Sequence, residues 1–102
     1  MYNIIMKDIS FDWDEEKNKK NVKKHKVSFE EAVTVFYDEN AIVFDDPDHS
    51  DDENRFLIIG VSMTEKLLIV SHCYRDSDNV IRIISARHAV KKEKAYYNEQ
   101  FI

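Results

Sequence analysis

Guanidinium, imidazole and phenol groups recur at short spacing between Leu67 and Glu93, where His72, Tyr74, Arg75, Arg82 and Arg87 alternate with Ile and Val. A purely structural segment would carry Thr, Lys or Glu at those positions. Arginine forks take phosphate oxygens in pairs and stay charged at any working pH. Histidine moves protons near neutrality. The set is what holding and cleaving a phosphodiester requires. Arg55 lies upstream of it, and His25 closes a lysine-rich stretch that includes Lys20 and Lys24.

Each residue also has an ordinary structural reading. An arginine on a sheet often only pairs with a nearby carboxylate. His25 could cap a helix and pack against the sheet. His72 alternates with apolar residues, as a satisfied core histidine would. Tyr74 either stacks on a base or stays in the core. Lys20 and Lys24, four apart on one helix face, either meet phosphate or form a solvated face. Two further constellations are weaker. The acidic run Asp45, Asp46, Asp48, His49, Asp51 and Asp52 lacks the glycine and terminal bidentate glutamate of a calcium loop, and reads as a solubilising loop. Cys73 beside His72 suggests a thiol dyad, but neighbours in a strand point to opposite faces.

The elements that must position these residues can be read in order. Met1 to Ser10 is an edge strand or a loose arm. Asp14 is a good N-cap, with Glu15 and Glu16 in the first turn, for a mostly solvent-facing helix running to about His25. Ser28-Phe29-Glu30-Glu31 reads as a capping box, and Phe29, Ala32, Val33 and Phe36 share one apolar face of a second helix ending near Tyr37 or Asp38. From Ala41 the period changes to strands: 41–44, 54–62, 67–75 and 80–87, with a hairpin turn at Asp76-Ser77-Asp78-Asn79. Residues 88–97 read as a final helix. The pattern implies an α+β fold, two helices followed by a four-stranded antiparallel meander and a C-terminal helix.

A tight turn at 76–79 pairs Tyr74 with Ile81, Cys73 with Arg82 and His72 with Ile83. Arg75, Arg82, Cys73 and Ser71 then share one face, and His72, Tyr74 and Arg87 the other. Carrying the parity through the 62–67 link puts Arg55 with His72 and Tyr74. A single bulge would invert any of these assignments.

Composition bounds the rest. A chain of 102 residues, 43% hydrophobic and 34% charged, reads as one water-soluble domain over 1–102. The single Cys73 excludes an internal disulfide and fits a reducing cytoplasm. No apolar run approaches the roughly 18 residues of a membrane span, and Met1 to Met6 shows no signal-peptide pattern. The net charge of −5 is unevenly spread. Lys17, Lys19, Lys20, Lys23, Lys24 and Lys26 make a basic stretch without acids, while 38–53 holds eight acids and no Lys or Arg. A basic pole suits phosphate; an acidic pole suits a basic partner or solubility.

Phe11-Asp12-Trp13-Asp14, Asn21-Val22-Lys23-Lys24-His25, Val27-Ser28-Phe29-Glu30-Glu31-Ala32, Val35-Phe36, Asp45-Asp46, Arg55-Phe56, Tyr74-Arg75 and Ile81-Arg82-Ile83-Ile84-Ser85-Ala86-Arg87 together resemble the BrnT toxins of bacterial toxin–antitoxin pairs, over about residues 11–97. The resemblance implies a RelE/ParE-like fold and a ribonuclease that stops translation. It implies a BrnA-type antitoxin that neutralises the toxin and carries the DNA-binding module, in a toxin–antitoxin heterotetramer or with a toxin homodimer. It maps catalysis onto Arg55, Arg82 and Arg87, and of the two histidines it matches His25 better; by residue type and placement, His72 and Tyr74 are further catalytic candidates and Lys20, Lys24 and Arg75 candidates for holding the RNA backbone. No metal or cofactor is expected, because RNA supplies its own 2′-OH nucleophile. One position departs from the family pattern: Lys26 stands where Gly usually follows the histidine, at a left-handed position that costs a lysine roughly 1 kcal/mol. The alternative, from a different class, is a RelE/ParE-fold binding module without catalysis, inhibiting a protein target or serving the antitoxin as co-repressor.

Overall fold

The computed structural model describes residues 2–6 and 49 by their backbone and residues 9–48, 55–75 and 79–102 more fully. The turn residues Asp76 to Asp78 and the acidic-loop residues Ser50 to Asn54 lie outside the described residues. The fold is α+β. A six-stranded sheet has the order β1-β2-β6-β5-β4-β3, where β1 is Tyr2–Met6, β2 Ile9–Trp13, β3 Ile42–Asp45, β4 Arg55–Val61, β5 Leu67–Arg75 and β6 Val80–His88. Helix α1 spans Glu15–His25, α2 Phe29–Thr34 and α3 Lys91–Asn98.

The expected antiparallel meander is present as β3 to β6. The sheet is larger than expected because β1 and β2 extend it, and β2 runs parallel to β6. That makes it a mixed sheet rather than a four-stranded antiparallel one. The first ten residues therefore contribute an edge strand. Strands 41–44 and 54–62 each begin about one residue later than expected, and the last helix begins at Lys91.

Local chemistry sets the helix ends. The Asp14 carboxylate accepts from the N–H groups of Glu16 and Lys17, capping α1. Lys26 closes that helix in the left-handed region, φ 62° and ψ 30°, so it accepts the strain instead of reshaping the turn. Its N–H donates to the Val22 carbonyl at 2.9 Å. Ser28 caps α2 by accepting from Glu31 N–H at 3.0 Å. The expected box is only half formed, because the Glu31 carboxylate turns away to accept from the Ser62 and Thr64 hydroxyls. The β4–β5 hairpin is tied down in this way to the helix layer.

One face of the sheet is covered by α2 and the segment after it. Phe29, Ala32, Val33 and Val35 pack there on Phe11, Trp13, Ile58, Leu68, Val70, Ile81, Ile83 and Ala86. Gly60, the chain's only glycine, allows that approach: a Cβ on it would fall 2.9 Å from Val35 Cγ1 and 3.0 Å from Ala41 Cβ. The other face is covered at one end by α3, with Tyr97 and Ala89 over Ile59 and Ile69. Tyr97 O–H donates to Asp38 Oδ2 at 2.6 Å, joining α3 to the turn before β3.

Helix α1 was expected to be mostly solvent-facing. Its exposed side is indeed the lysine side, and Val22 is exposed as well. Its buried side is made of two asparagines. Asn18 Oδ1 accepts from Phe29 N–H, and Asn18 Nδ2 donates to Glu15 and Glu30. Asn21 Nδ2 donates to the Val27 and Ala86 carbonyls, both at 2.8 Å, while its Oδ1 accepts from Ala86 N–H at 3.1 Å. Strand β2 pairs with β6 only from Val80 to Arg82. Beyond that point the Asn21 amide satisfies the β6 edge as a neighbouring strand would.

Candidate functional site

The hairpin register matches the expectation at its turn end: Tyr74 pairs with Ile81, Cys73 with Arg82 and His72 with Ile83. Further along, Ser71 pairs with Ser85 and Ile69 with Arg87, so one residue of β6 is bulged out between Ile83 and Ser85. The bulge moves Arg87 off the face of His72 and onto the face of Cys73 and Arg82. A second correction concerns Arg55, which pairs with Cys73. The β4–β5 loop closes with Ser62 N–H donating to the Lys66 carbonyl, and Glu65 is left-handed at φ 63°. This loop of odd length shifts β4 by one residue relative to the expected parity, which flips every side chain on it.

Both corrections act in the same direction. Arg55, Arg82 and Arg87 share the face that α3 leaves partly open. Register pairs define three transverse rows on it: Asp12, Arg82, Cys73, Arg55; then Ser85, Ser71, Leu57, Phe44; then Arg87, Ile69, Ile59, Ile42. Adjacent strands are about 4.8 Å apart, so Arg82 and Arg55 flank Cys73 across roughly 10 Å. A cleft of about 180 Å³ is lined by Arg55 and Arg87, by Ser71 and Ser85 with Leu57 and Ile69, and by Asp46 and Asp48.

Two of the arginines are held by carboxylates. Arg82 Nη1 lies 3.4 Å from Asp12 Oδ1, with both side chains about five-sixths buried (17% and 16% exposed). Arg87 donates from Nη1 to Glu93 Oε1 and from Nη2 to Glu93 Oε2, both at 2.8 Å. Glu93 also accepts from Val90 N–H at 2.9 Å. These hydrogen bonds push the Arg87 guanidinium up from its ordinary value and hold the Glu93 carboxyl below its own, against the opposing effect of burial. Arg75 is exposed at the end of β5.

His25 is half-buried at the C-terminal end of α1, one turn beyond the Asn21 contact with Ala86. Burial lowers its pKa, and the positive charges of Lys24 and Arg87 lower it further. It is therefore largely neutral at pH 7 and sits within electrostatic range of Arg87. Lys20 and Lys24 are exposed on the same helix.

His72 and Tyr74 are on the opposite face. His72 is 0% exposed, and its ring lies 5.0 Å from Phe36, 5.4 Å from Tyr74 and 6.2 Å from Phe56 between centroids. Nδ1 lies 3.2 Å from the Val70 carbonyl, which makes Nδ1–H the donor, and Nε2 has no partner among the described residues. Burial lowers its pKa to about 4, opposed by the Val70 contact. The structure thus gives His72 the core reading and places Tyr74 beside it and Phe56, packed on the core rather than in the cleft. His72 and Cys73 point to opposite faces, so they form no dyad.

Asp12, Glu93, Ser85, Asp46 and Asp48 were not among the sequence candidates for this site. Asp12 reaches Arg82 through a parallel strand pair with no local sequence mark. Glu93 had a signal, an acid in the first turn of a helix that follows an arginine-bearing strand.

Among the described residues, no helix is long and apolar enough to cross a membrane. Comparison with curated proteins finds no match. In fold, the chain is similar to the ribonuclease toxin BrnT of Brucella abortus, known from a 1.1 Å crystal structure, with TM-score 0.60, 23% identity, and 78% of this chain and 94% of that one covered. Residues 13–93 match the profile of a family described as the ribonuclease toxin, BrnT, of type II toxin–antitoxin systems. With that match spanning most of its length, the chain belongs to the BrnT family of ribonuclease toxins, which act in pairs with an antitoxin.

Proposed function

We propose that this protein is a cytoplasmic endoribonuclease that cleaves RNA without a metal ion and is held in check by a BrnA-type antitoxin. The observation that carries the reading is the gathering of Arg55, Arg82 and Arg87 on one open face of the sheet. Cleavage through the 2′-OH needs a proton acceptor, stabilisation of a dianionic phosphorane and a proton for the leaving 5′-oxygen. The arginines serve the second need. His25, largely neutral and within electrostatic range of Arg87, serves as the general base. Lys20, Lys24 and Arg75 hold flanking phosphates. His72 and Tyr74 have no part in this scheme, because they face the core. A toxin–antitoxin heterotetramer is the assembly this reading favours.

The test is antitoxin-free protein incubated with cellular RNA in EDTA, beside Arg82→Ala. The expected products carry 2′,3′-cyclic phosphate ends, with loss of at least tenfold in rate for Arg82→Ala. Intact RNA from folded wild-type protein would instead support the non-catalytic binding module. Cleavage by Arg82→Ala at the wild-type rate would remove Arg82 from the site.

A further inference from the structure

We infer that Glu93 is a positioning residue, which aims the Arg87 guanidinium into the cleft; the inference rests on the ribonuclease reading above. A guanidinium has five N–H donors in a fixed plane. On Arg87, one Nη1–H and one Nη2–H go to the two Glu93 oxygens at 2.8 Å, and Nη1 also approaches the His88 carbonyl at 3.3 Å. Among the described residues this leaves Nε–H and the second Nη2–H. Those two donors lie side by side on one edge of the fork, the edge that takes two phosphate oxygens in parallel. Arg87 lines the cleft with Arg55, Ser71 and Ser85.

The carboxylate that sets this orientation is itself fixed. Glu93 stands in the first turn of α3 and accepts from Val90 N–H, so the positive end of the helix dipole offsets its charge. Helix α3 is held in turn by Tyr97 on Asp38 and by packing on Ile59 and Ile69. A free arginine would sample many rotamers; this one is presented with a single edge open. Arg55, by contrast, has no carboxylate fork of this kind among the described residues.

The test is steady-state cleavage of a short RNA by the full chain carrying Glu93→Gln, Glu93→Asp, Arg87→Ala, Arg87→Lys or the double variant Glu93→Gln/Arg87→Ala, with thermal unfolding measured for each. Glu93→Gln is expected to lower kcat about tenfold or more and leave KM within about twofold, because the fork loses its orientation at the transition state while RNA binding elsewhere persists. Glu93→Asp should recover part of the rate. In the Arg87→Ala background Glu93→Gln should add nothing. Arg87→Lys keeps the charge, Glu93 and the Val90 contact, and is expected to lose as much as Arg87→Ala; it carries the test should Glu93→Gln unfold. Wild-type or raised kcat in folded Glu93→Gln, with Arg87→Ala impaired, overturns this inference and leaves the ribonuclease reading standing. Full activity of Arg87→Lys overturns it as well. Intact RNA with the wild-type protein overturns both.

Discussion

His72 shows how one side chain can carry both readings until its surroundings are known. Its place between apolar neighbours in a strand next to Tyr74 and Arg75 fits a catalytic base. Its actual surroundings are Phe36, Phe56 and Tyr74, with one nitrogen on the Val70 carbonyl. A depressed histidine pKa has a defined consequence for stability. The unfolded chain takes up a proton below about pH 6.5, whereas the folded chain resists until about pH 4. Stability is therefore intact above the unfolded value and lost as pH falls through that window. Between pH 7 and pH 5 the loss should be about 2 kcal/mol. His25, whose pKa is lowered as well, adds to the loss in the same direction, so the share of His72 is the part that its replacement removes. Urea unfolding at the two pH values should show it for the wild type and much less of it for His72→Phe, which keeps the ring and removes the proton site. An unchanged pH dependence in that variant would mean that His72 titrates normally.

At the scale of elements, α1 is attached in an unusual way. A helix normally docks by an apolar stripe, but α1 docks by Asn18 and Asn21. The Asn21 amide makes three hydrogen bonds to backbone groups of Val27 and Ala86. Removing it leaves buried donors and acceptors unmet, which costs more than the bonds themselves contribute. Asn21→Ala should lower stability by about 3 kcal/mol, read as a shift in the denaturation midpoint. It should also raise amide exchange at Ala86, whose N–H loses its acceptor. A midpoint within experimental error of the wild type would show that water replaces the amide at little cost. The same attachment brings His25 within electrostatic range of Arg87, so α1 joins the basic surface to the edge of the strand that carries this arginine.

At the scale of the whole molecule, the charge pattern works as a dipole with the cleft between its poles. The exposed lysines of α1 lie along the β6 side, and Asp45 and Asp48 lie at the β3 side. The net charge of −5 would repel RNA if it were spread evenly. On the function proposed above, local positive potential would guide the backbone instead, with a reach limited by salt. If Lys20 and Lys24 each hold one phosphate of single-stranded RNA, Lys20→Ala/Lys24→Ala should reduce the slope of log K against log salt by about 1.4. Binding should weaken most at low salt, as followed by fluorescence anisotropy. An unchanged slope would assign the two lysines to the solvated face.

Much of this protein is legible in its residues because the signals are local. Asp14 and Ser28 cap helices by reaching two or three residues along the chain, and the strand pattern from Ile42 onward reflects a period of two. The register near the 76–79 turn follows from counting outward from a short loop, and it holds as far as His72. The conjunction of motifs from Phe11 to Arg87 indicated the family, which the match over 13–93 bears out. Tertiary structure decided what depends on parity and long-range pairing. A single bulged residue in β6 and the odd length of the β4–β5 loop each reverse a face, and together they bring Arg55, Arg82 and Arg87 to the same side. The parallel pairing of β2 with β6 supplies Asp12 to Arg82 across 70 residues of sequence. No local preference encodes those choices. They are settled by which face of the sheet buries its apolar side chains against α2, and that is a property of the whole packed core.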